Sequence, residues 1–449
     1  MPRYELSEGT SNKFWEIELD GTSFTTRYGR IGSDGQETTK DFQSAAEARK
    51  AYDKLVAEKV KKGYELVEGD DDADDHGDGD ALRGARNPSL EAAILKDPDN
   101  VEGYLVYADW LQTQGDPRGE LMAVQAALRA SPADAKLTKR SRELTAQHAE
   151  ALLGELGEED HFHPTWGLGG LHAVTIGDTE ADFGELDGDV AAEMVTRLFR
   201  LPAARFLREL TIGLIEDDDG QPNWSNVIVA LADSEVSPTL RMLRVSCGGY
   251  QISWTQLGDL TRVYRKVPRL EELHIKLGAM ELGRIDLPEL RVFEVITGGF
   301  TRSNLASVAK ARWPKLERLV LYFGDDNYGG DCTAADLKPI LEAQGLPALR
   351  SLGLANSEFA NEIAAALPKS KILKQLRELD LSKGTLDDEG AMQIIEHASA
   401  FQHLERLDVS ENYLSDAIVA RLGKVCGSVV GAGSQGDADA DDRYVQVAE

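Results

Sequence analysis

A chain of 449 residues is too long for one ordinary hydrophobic core, so roughly two to four domains are expected. Hydrophobic residues make up 42% of the chain, which excludes a mainly disordered protein. No apolar run approaches the ~18 residues that span a bilayer. The net charge of −29 disfavours delocalised binding to nucleic acid or to an anionic membrane.

The cysteines and the N-terminus predict a cytoplasmic protein. Cys247, Cys332 and Cys426 are far apart and form no C-x-x-C pair, which argues against a disulfide framework and a cysteine zinc site. No apolar signal-peptide core is visible at the start of the sequence. Residues 1–68 carry 11 Lys+Arg against 13 Asp+Glu, so a contact with phosphate is expected there if anywhere.

Residues 1–68 alternate as β-strands do. In "KFWEIELDG", Phe14 and Glu16 fall on one face and Trp15 and Ile17 on the other, before an Asp20-Gly21 turn. "SFTTRYGRI" then returns as a second strand, and a helix is predicted from Ser44 to about Gly63. This pattern indicates a small α+β domain.

An aspartate-rich segment follows at residues 69–87 and predicts a solvated linker. A calcium-binding loop that starts at Asp72 would need a glutamate at its twelfth position, where Arg83 stands. Residues 88–156 show helical periodicity and predict a small bundle, with Ser89 as the first N-cap.

A recurrent L-x-x-L-x-L pattern dominates residues 157–430. Its copies start at Leu171, Leu207, Leu240, Leu270, Leu290, Leu316, Leu349, Leu376 and Leu404. Helical stretches separate the later copies. A short strand and a helix at such a period predict a curved solenoid whose strands stack into one parallel sheet.

Residues between the repeated leucines are expected on the concave face, because side chains of a strand alternate between its two sides. A protein-binding surface is predicted there, formed by Arg244, His274, Lys276, Arg318 and Tyr322. The same face becomes more acidic towards the C-terminal repeats, through residues such as Asp380 and Asp408.

The remaining candidates for chemistry are weak. "GAGSQG" at Gly431, Gly433 and Gly436 resembles a dinucleotide loop, but too few residues follow it to form the required helix. His161 and His163 have no apparent metal-ligating partner. We therefore expect no enzyme, no metal and no cofactor. Residues 431–449 predict an acidic tail in which "RYVQVA" folds back as an edge strand.

Three resemblances extend this interpretation. "RYGRIGSDGQ" with "SNKFWEIELDG" resembles the WGR domain, most closely its bacterial versions, with Tyr28 in place of the tryptophan of the name. "YLVYADWLQTQGDPRGELMAVQ" is similar to a small bacterial repeat-companion domain. "LERLDVSENYL", with Asn412 at the asparagine position, resembles leucine-rich repeats of the ribonuclease-inhibitor-like kind.

The resemblances imply a multidomain α/β adaptor. Leucine-rich repeats imply a protein partner, and a WGR domain implies a nucleic-acid end bound by Tyr28, Gly29 and Arg30. A ring and a guanidinium suit that task, because one stacks on a base or sugar and the other holds a phosphate. Two alternatives stay open: the N-terminal domain docks only proteins, or the chain is an enzyme with an unrecognised site.

Overall fold

The computed structural model describes residues 3–8, 11–20, 22–31, 33, 35–42, 51–52, 54–55, 59, 62, 64–68, 84–180, 186–215, 222–249, 252–434 and 443–448. The chain divides into two compact units, Met1–Asp80 and Ala81–Glu449. Residues 69–83 of the expected linker and residues 43–50 of the expected helix lie outside the described residues. No helix in the described ranges is long and apolar enough to cross a membrane.

The first unit contains a five-stranded antiparallel sheet in the order β4-β3-β2-β1-β5. Its strands are β1 (Arg3–Glu8), β2 (Ser11–Asp20), β3 (Ser23–Arg30), β4 (Gln36–Asp41) and β5 (Glu65–Glu68). The expected hairpin is confirmed, because β2 and β3 pair from Asp20 and Ser23 to Lys13 and Arg30. Residues 51–52 and 54–55 are helical.

The core of this unit lies on one face of its sheet. Trp15, Ile17 and Phe24 are buried there, and Tyr4, Phe42, Ala51, Tyr52, Leu55 and Tyr64 pack around them. The Lys59 ammonium lies 5.2 Å from the Trp15 ring centroid, a favourable cation–π arrangement. The alternation predicted for β2 is therefore confirmed at Trp15 and Ile17.

The second unit begins with a helical segment. Its helices are α1 (Pro88–Lys96), α2 (Val101–Thr113), α3 (Pro117–Ala130), α4 (Ala135–Gln147) and α5 (Ala149–Leu153). The expected cap at Ser89 is wrong. Asn87 is the N-cap and its side chain accepts from the Leu90 N–H, because Pro88 occupies the first helical position.

Ion pairs and a hydrogen bond, some of them buried, join the helical segment to the repeats that follow. The Arg118 guanidinium, 4% exposed, pairs with Asp116 at 2.6 Å and donates to the carbonyl of Pro202 at 3.1 Å. Glu91, 3% exposed, binds Arg205 at 2.8 Å. Asp99 pairs with Arg208 at 2.6 Å. These contacts fix α1–α3 against the first repeats.

An eleven-stranded sheet forms the body of the second unit, in the order β6-β7-β8-β9-β11-β13-β14-β15-β16-β17-β18. Its neighbours pair in parallel from β7 onward, whereas β6 is antiparallel to β7. The strands, with the separate pair β10 and β12, are β6 (Phe162–Gly167), β7 (Gly170–Ile176), β8 (Glu209–Ile212), β9 (Met242–Ser246), β10 (Gln256–Asp259), β11 (Glu272–Lys276), β12 (Ala279–Glu281), β13 (Val292–Ile296), β14 (Arg318–Gly324), β15 (Ser351–Ser357), β16 (Glu378–Asp380), β17 (Arg406–Asp408) and β18 (Val429–Val430).

The L-x-x-L-x-L pattern marks these strands. Leu171 lies inside β7, and each of the other eight starting leucines lies two residues before a strand. One row across the sheet is apolar and at most 1% exposed at every position: Leu210, Leu243, Leu273, Phe293, Leu319, Leu352, Leu379 and Leu407. The predicted parallel sheet with one strand per repeat is confirmed.

Helices lie between most of the strands. They are α6 (Gly188–Arg200), α7 (Ser225–Asp233), α8 (Arg302–Lys310), α9 (Lys338–Leu341), α10 (Ala360–Ala366), α11 (Asp388–Glu396) and α12 (Asp416–Leu422). The described residues between β9 and β13 contain no α-helix, and β10 pairs with β12 there instead. The repeat from Leu270 to Leu290 spans only 20 residues, which leaves little chain for a helix.

Buried Asn412 closes one of the last turns. Its side-chain amide donates to the carbonyls of Leu381 and Val409 and accepts from the N–H of Leu386, at 2.9 to 3.1 Å. A fully buried amide is tolerated only when its polar atoms are satisfied in this way. Asn412 therefore satisfies loop backbone that the strands leave unpaired.

The C-terminal residues fold back, though not as an edge strand. Arg443–Ala448 cross the loops that follow the strands, and the edge of the sheet is occupied by β18. The expectation of an edge strand is therefore wrong, because the backbone of this segment bonds to Asn356, Lys383 and Tyr413 and not to a strand at the edge. Residues 435–442 of the predicted acidic tail lie outside the described residues.

Replacing a leucine of the buried row tests this architecture. We expect Leu379→Asp to unfold the neighbouring repeats, because an unpaired buried carboxylate costs several kcal/mol. The matched control is Glu378→Asp, on the opposite face of the same strand. Thermal unfolding followed by circular dichroism measures both, and an unchanged melting temperature for Leu379→Asp would contradict the buried row.

Candidate binding surfaces

The side chains that alternate with the buried row form what we call the open face, which comprises Arg244, Ser246, Glu272, His274, Lys276, Glu294, Arg318, Tyr322, Glu378, Asp380, Arg406 and Asp408. Strand register places Arg244, His274 and Glu294 side by side on β9, β11 and β13. Arg318 and Tyr322 lie on β14. All five residues predicted to bind a protein therefore share one face, with Arg318 two strands from His274.

Ion pairs connect the middle of the open face. His274 Nε2 lies 3.1 Å from Glu272 Oε2, and its Nδ1 lies 3.7 Å from Glu294 Oε1. Arg318 approaches Glu294 at 3.9 Å and Glu378 at 3.8 Å. The pKa of Glu294 is lowered by the neighbouring His274, against the effect of partial burial. The pairs of Arg318, whose side chain is 45% exposed, contribute little stability and can exchange partners at low cost, whereas the contact between His274 and Glu294 is mostly buried.

Two cations on this face differ in role. Lys276 Nζ donates to the carbonyl of Gly248, so part of its function is to hold the loop after β9. Arg244 is exposed and has no ion-pair partner among the described residues. Arg244 is therefore the more available contact residue of the two.

The C-terminal part of the open face is acidic. Partial burial raises the pKa of Asp380, and the nearby Asp408 adds to the effect. Burial raises the pKa of the Tyr322 phenol, and the carboxylates of Asp380 and Glu294 raise it further. Arg406 pairs with Asp408 at 2.8 Å. This end of the face suits a cationic partner group.

At the other candidate surface, Tyr28, Gly29 and Arg30 end strand β3. Tyr28 is 44% exposed and Arg30 is exposed, and neither side chain has a hydrogen bond or ion pair within the described residues. The structural ion pair on this strand belongs to Arg27, which binds buried Glu16 at 2.6 Å.

Lys13 was missed by the sequence reasoning. It lies directly opposite Arg30 across β2 and β3, and both side chains are exposed on the same face as Tyr28. Like charges in a directly opposed pair repel, so an anion placed between them would be stabilised. Strand pairing alone reveals this pair, since the two residues are far apart in the sequence.

Packing explains why a residue without a side chain stands at position 29. A Cβ on Gly29 would lie 2.9 Å from the Gly35 Cα and 3.1 Å from a Phe14 ring carbon. Gly35 has φ +71°, and its own Cβ would meet the Phe14 ring at 2.6 Å. Both glycines let the loop after β3 close over Phe14, which is 2% exposed.

One group of three carboxylates is close enough together to bind a cation. Among the described residues, Asp325, Asp326 and Glu358 place carboxylate oxygens within 4.8 Å of one another. Partial burial and the two aspartates raise the pKa of Glu358. Such groups are common on acidic surfaces. His161 and His163 belong to no metal-ligating group within the described ranges.

Comparison with known proteins identifies the first unit. Residues 3–71 match the WGR domain family. The WGR domain also aligns with two Escherichia coli K12 proteins, uncharacterized protein YfeS at 41% identity over 63 residues and protein YehF at 42% over 64 residues. These alignments cover 14% of this chain and only 26% and 23% of the two relatives, so the likeness is confined to the WGR domain.

A solved structure resembles the chain as a whole. A crystal structure of a protein from Bacteroides fragilis aligns over 100% of this chain and 99% of its own, with a TM-score of 0.52 and 23% identity. At that identity the likeness concerns the fold alone. It agrees with a multidomain chain of mixed α/β structure.

Packing at Gly29 can be measured directly. We expect Gly29→Ala to destabilise the WGR domain by about 1–3 kcal/mol, because the added methyl group overpacks the loop against Phe14 and Gly35. Thr22→Ala, at an exposed turn, is the control. Trp15 is the only tryptophan of residues 1–80, so its fluorescence reports urea unfolding of that fragment. Equal midpoints for Gly29→Ala and wild type would disprove the packing role.

Proposed function

We propose that the protein is a non-enzymatic adaptor. In this proposal the open face binds a protein partner, and the WGR domain docks a nucleic-acid end. The observation that carries the first part is the row of Arg, His, Glu and Tyr side chains that pair only loosely with one another across the open face. WGR domains are nucleic-acid- and protein-binding modules, which supports the second part.

The repeats are best assigned to leucine-rich repeats of the ribonuclease-inhibitor-like kind. Parallel strands in sequential order, a row of buried leucines with one phenylalanine and the satisfied amide of Asn412 support that assignment. Repeats of this kind expose a broad sheet surface, which suits recognition of a folded protein. Cations near β9–β14 and acids near β16–β17 favour a partner with the opposite arrangement of charge.

An enzymatic function is less well supported. The sequence contains no nucleophile elbow, phosphate loop or zinc-protease motif. Burial raises the pKa of the Cys247 thiol to about 11 and that of Cys332 to about 12, the opposite of what activates a nucleophilic cysteine. Partial burial also raises the pKa of Cys426.

For the WGR domain, Lys13 and Arg30 beside Tyr28 favour a terminal phosphate with an accessible base or sugar. Two cations fit one or two phosphates, so affinity should fall only shallowly with salt. The strongly acidic remainder of the chain disfavours coating of continuous duplex. If nucleic acid is not the ligand, the same exposed groups serve the alternative of a protein-docking element.

Charge reversal tests the open face. We expect Arg244→Glu, His274→Gln and Arg318→Glu together to abolish capture of the protein partner from native lysate without lowering the melting temperature, because Arg244 and Arg318 are exposed and glutamine adds no carboxylate between Glu272 and Glu294. Lys276 is left intact because it holds the loop after β9.

The matched control for the open face reverses three exposed cations elsewhere, at Lys338, Lys369 and Arg421. Quantitative mass spectrometry of the captured proteins, with and without nuclease, compares both triple variants with wild type. Unimpaired capture by the open-face variant would place the interface elsewhere on the chain.

Fluorescence anisotropy of residues 1–80 tests the nucleic-acid proposal with nicked, blunt and single-stranded probes at low salt. We expect Tyr28→Ala to weaken binding by about 1–3 kcal/mol through loss of stacking. Lys13→Ala or Arg30→Ala should reduce the slope of log K against log salt by about one.

The control for this experiment is Lys54→Ala, which removes an exposed cation away from Tyr28 in the sequence. A fragment that ignores all three probes would refute nucleic-acid binding. So would a Tyr28→Ala, Arg30→Ala double variant that binds as well as wild type. The protein-docking alternative would then stand.

A further inference from the structure

The C-terminal segment Arg443–Ala448, here called the tail segment, is held mainly through its backbone. Asn356 donates from Nδ2 to the Val447 carbonyl at 2.5 Å and accepts the Val447 N–H at 2.8 Å. The Lys383 carbonyl accepts the Gln446 N–H at 3.0 Å. The Tyr413 hydroxyl accepts the Tyr444 N–H at 2.9 Å and lies 3.1 Å from its carbonyl. Main-chain recognition of this kind depends little on the sequence of the bound segment.

These groups lie at the carboxyl ends of three successive strands: Asn356 near the end of β15, and Lys383 and Tyr413 in the loops after β16 and β17. We call this surface the carboxyl edge and define it by Ser253, Gly298, Asn356, Lys383, Asp387 and Tyr413. Ser253 donates to the Ala448 carbonyl at one end, and Asp387 pairs with Arg443 at the other. The tail segment therefore crosses from the repeats near β17 to those near β9.

Two valines of the tail segment face inward. Val445 is 1% exposed and Val447 packs against the core, whereas Tyr444 is 58% exposed; Gln446 between the valines is half-buried. Arg443 lies against Asp387 and over the Tyr413 ring. The carboxyl edge thus accepts a cation followed by apolar side chains at the second and fourth positions after it.

The carboxyl edge is shaped for an extended segment. Asn356, Lys383 and Glu411 occupy equivalent turns of three successive repeats, and all three have positive φ, at 53°, 66° and 53°. Left-handed backbone at residues other than glycine is unfavourable and is retained where a structural or binding task requires it. A Cβ on Gly298 would collide with the carbonyl of Ala448. Two of these turns contact the tail segment directly.

Charge makes the tail segment a poor occupant. Asp325, next to the acidic group of Asp326 and Glu358, donates its N–H to the Gly298 carbonyl at 2.8 Å, so this group borders the carboxyl edge. The only cation of the tail segment, Arg443, lies at the opposite end against Asp387, whereas Ala448 lies beside Gly298 and is followed in the sequence by Glu449. Covalent attachment gives it a high effective concentration, so it can occupy the edge despite unfavourable charge.

We propose that the carboxyl edge is a docking site for an extended, basic segment of a partner protein, and that the tail segment occupies this site in the free chain. The inference deepens the proposed protein-binding function and rests on it. A partner segment with apolar side chains at alternate positions and further cations repeats the backbone bonds and replaces like-charge repulsion with attraction. Docking then requires displacement of the tail segment.

Peptide binding tests this proposal. One labelled peptide has the sequence of residues 441–449, and a second carries lysine in place of Glu449, the residue after Ala448. A chain ended after Asp442 should bind the first peptide at least 10-fold more tightly than the full chain does. The lysine peptide should bind several-fold more tightly than the first at low salt. Replacing Val445 by Asp in the peptide should abolish binding.

Variants of the carboxyl edge locate the peptide. Asn356→Ala in the shortened chain should weaken peptide binding at least 10-fold, whereas Asn226→Ala, at an exposed helical asparagine, should not. If circular dichroism shows that the shortened chain does not fold, the full chain with Val445→Asp is used in the same titration instead. A buried carboxylate at position 445 should release the tail segment.

Several results would overturn the proposal. The shortened and full chains would bind the peptide equally, or Asn356→Ala would bind as wild type does. A dimer of the full chain that dissociates on shortening, seen by light scattering, would make a second copy the occupant. Peptide binding lost in the open-face triple variant would place the peptide on the open face. The two proposals can also be told apart. If the open-face triple variant still captures the partner protein, the open face is not the interface; if the shortened chain still binds the peptide in that case, docking at the carboxyl edge stands by itself.

Discussion

The stack of apolar side chains inside the eleven-stranded sheet is the constraint on which the second unit depends. Each of eight successive strands, from β8 to β17 and without β10 and β12, contributes a leucine or phenylalanine to the same buried row, and parallel pairing keeps that row in register. Each fully buried side chain of this size contributes about 1.5–3 kcal/mol. A slip of one residue would turn the row towards solvent, so the register is strongly specified.

The same register determines which side chains meet on the open face and which loops meet at the carboxyl ends of the strands. Alternation forces Arg244, His274 and Glu294 to stand side by side on the open face, where they form an ion-pair network. The same register brings successive loops into line at the carboxyl ends of the strands. Asn356 and Lys383 thereby become neighbours along one edge, although 27 residues separate them in the chain. Two surfaces for recognition result from one packing requirement.

The WGR domain obeys the same alternation in an antiparallel setting. Trp15 and Ile17 face its core, and the pairing that buries them sets Lys13 opposite Arg30 at the open end of the hairpin. Electrostatic repulsion between those cations costs stability that core packing compensates. Such a local conflict within a consistent fold is typical of a binding site. The two units thus present surfaces of different charge, one a small cationic patch and the other a mixed and partly acidic face.

Periodicity in the sequence determined the parallel sheet, the buried leucines and the shared face of Arg244, His274, Lys276, Arg318 and Tyr322, because a strand period of two specifies sides without knowledge of the partners. It could not determine which charges pair, since Glu294 meets His274 and Arg318 only through neighbouring strands. Lys13 beside Arg30 likewise depends on hairpin register. The place of Arg443–Ala448 was decided by tertiary structure alone, because the backbone of the tail segment bonds to residues such as Asn356 that are far away in the sequence.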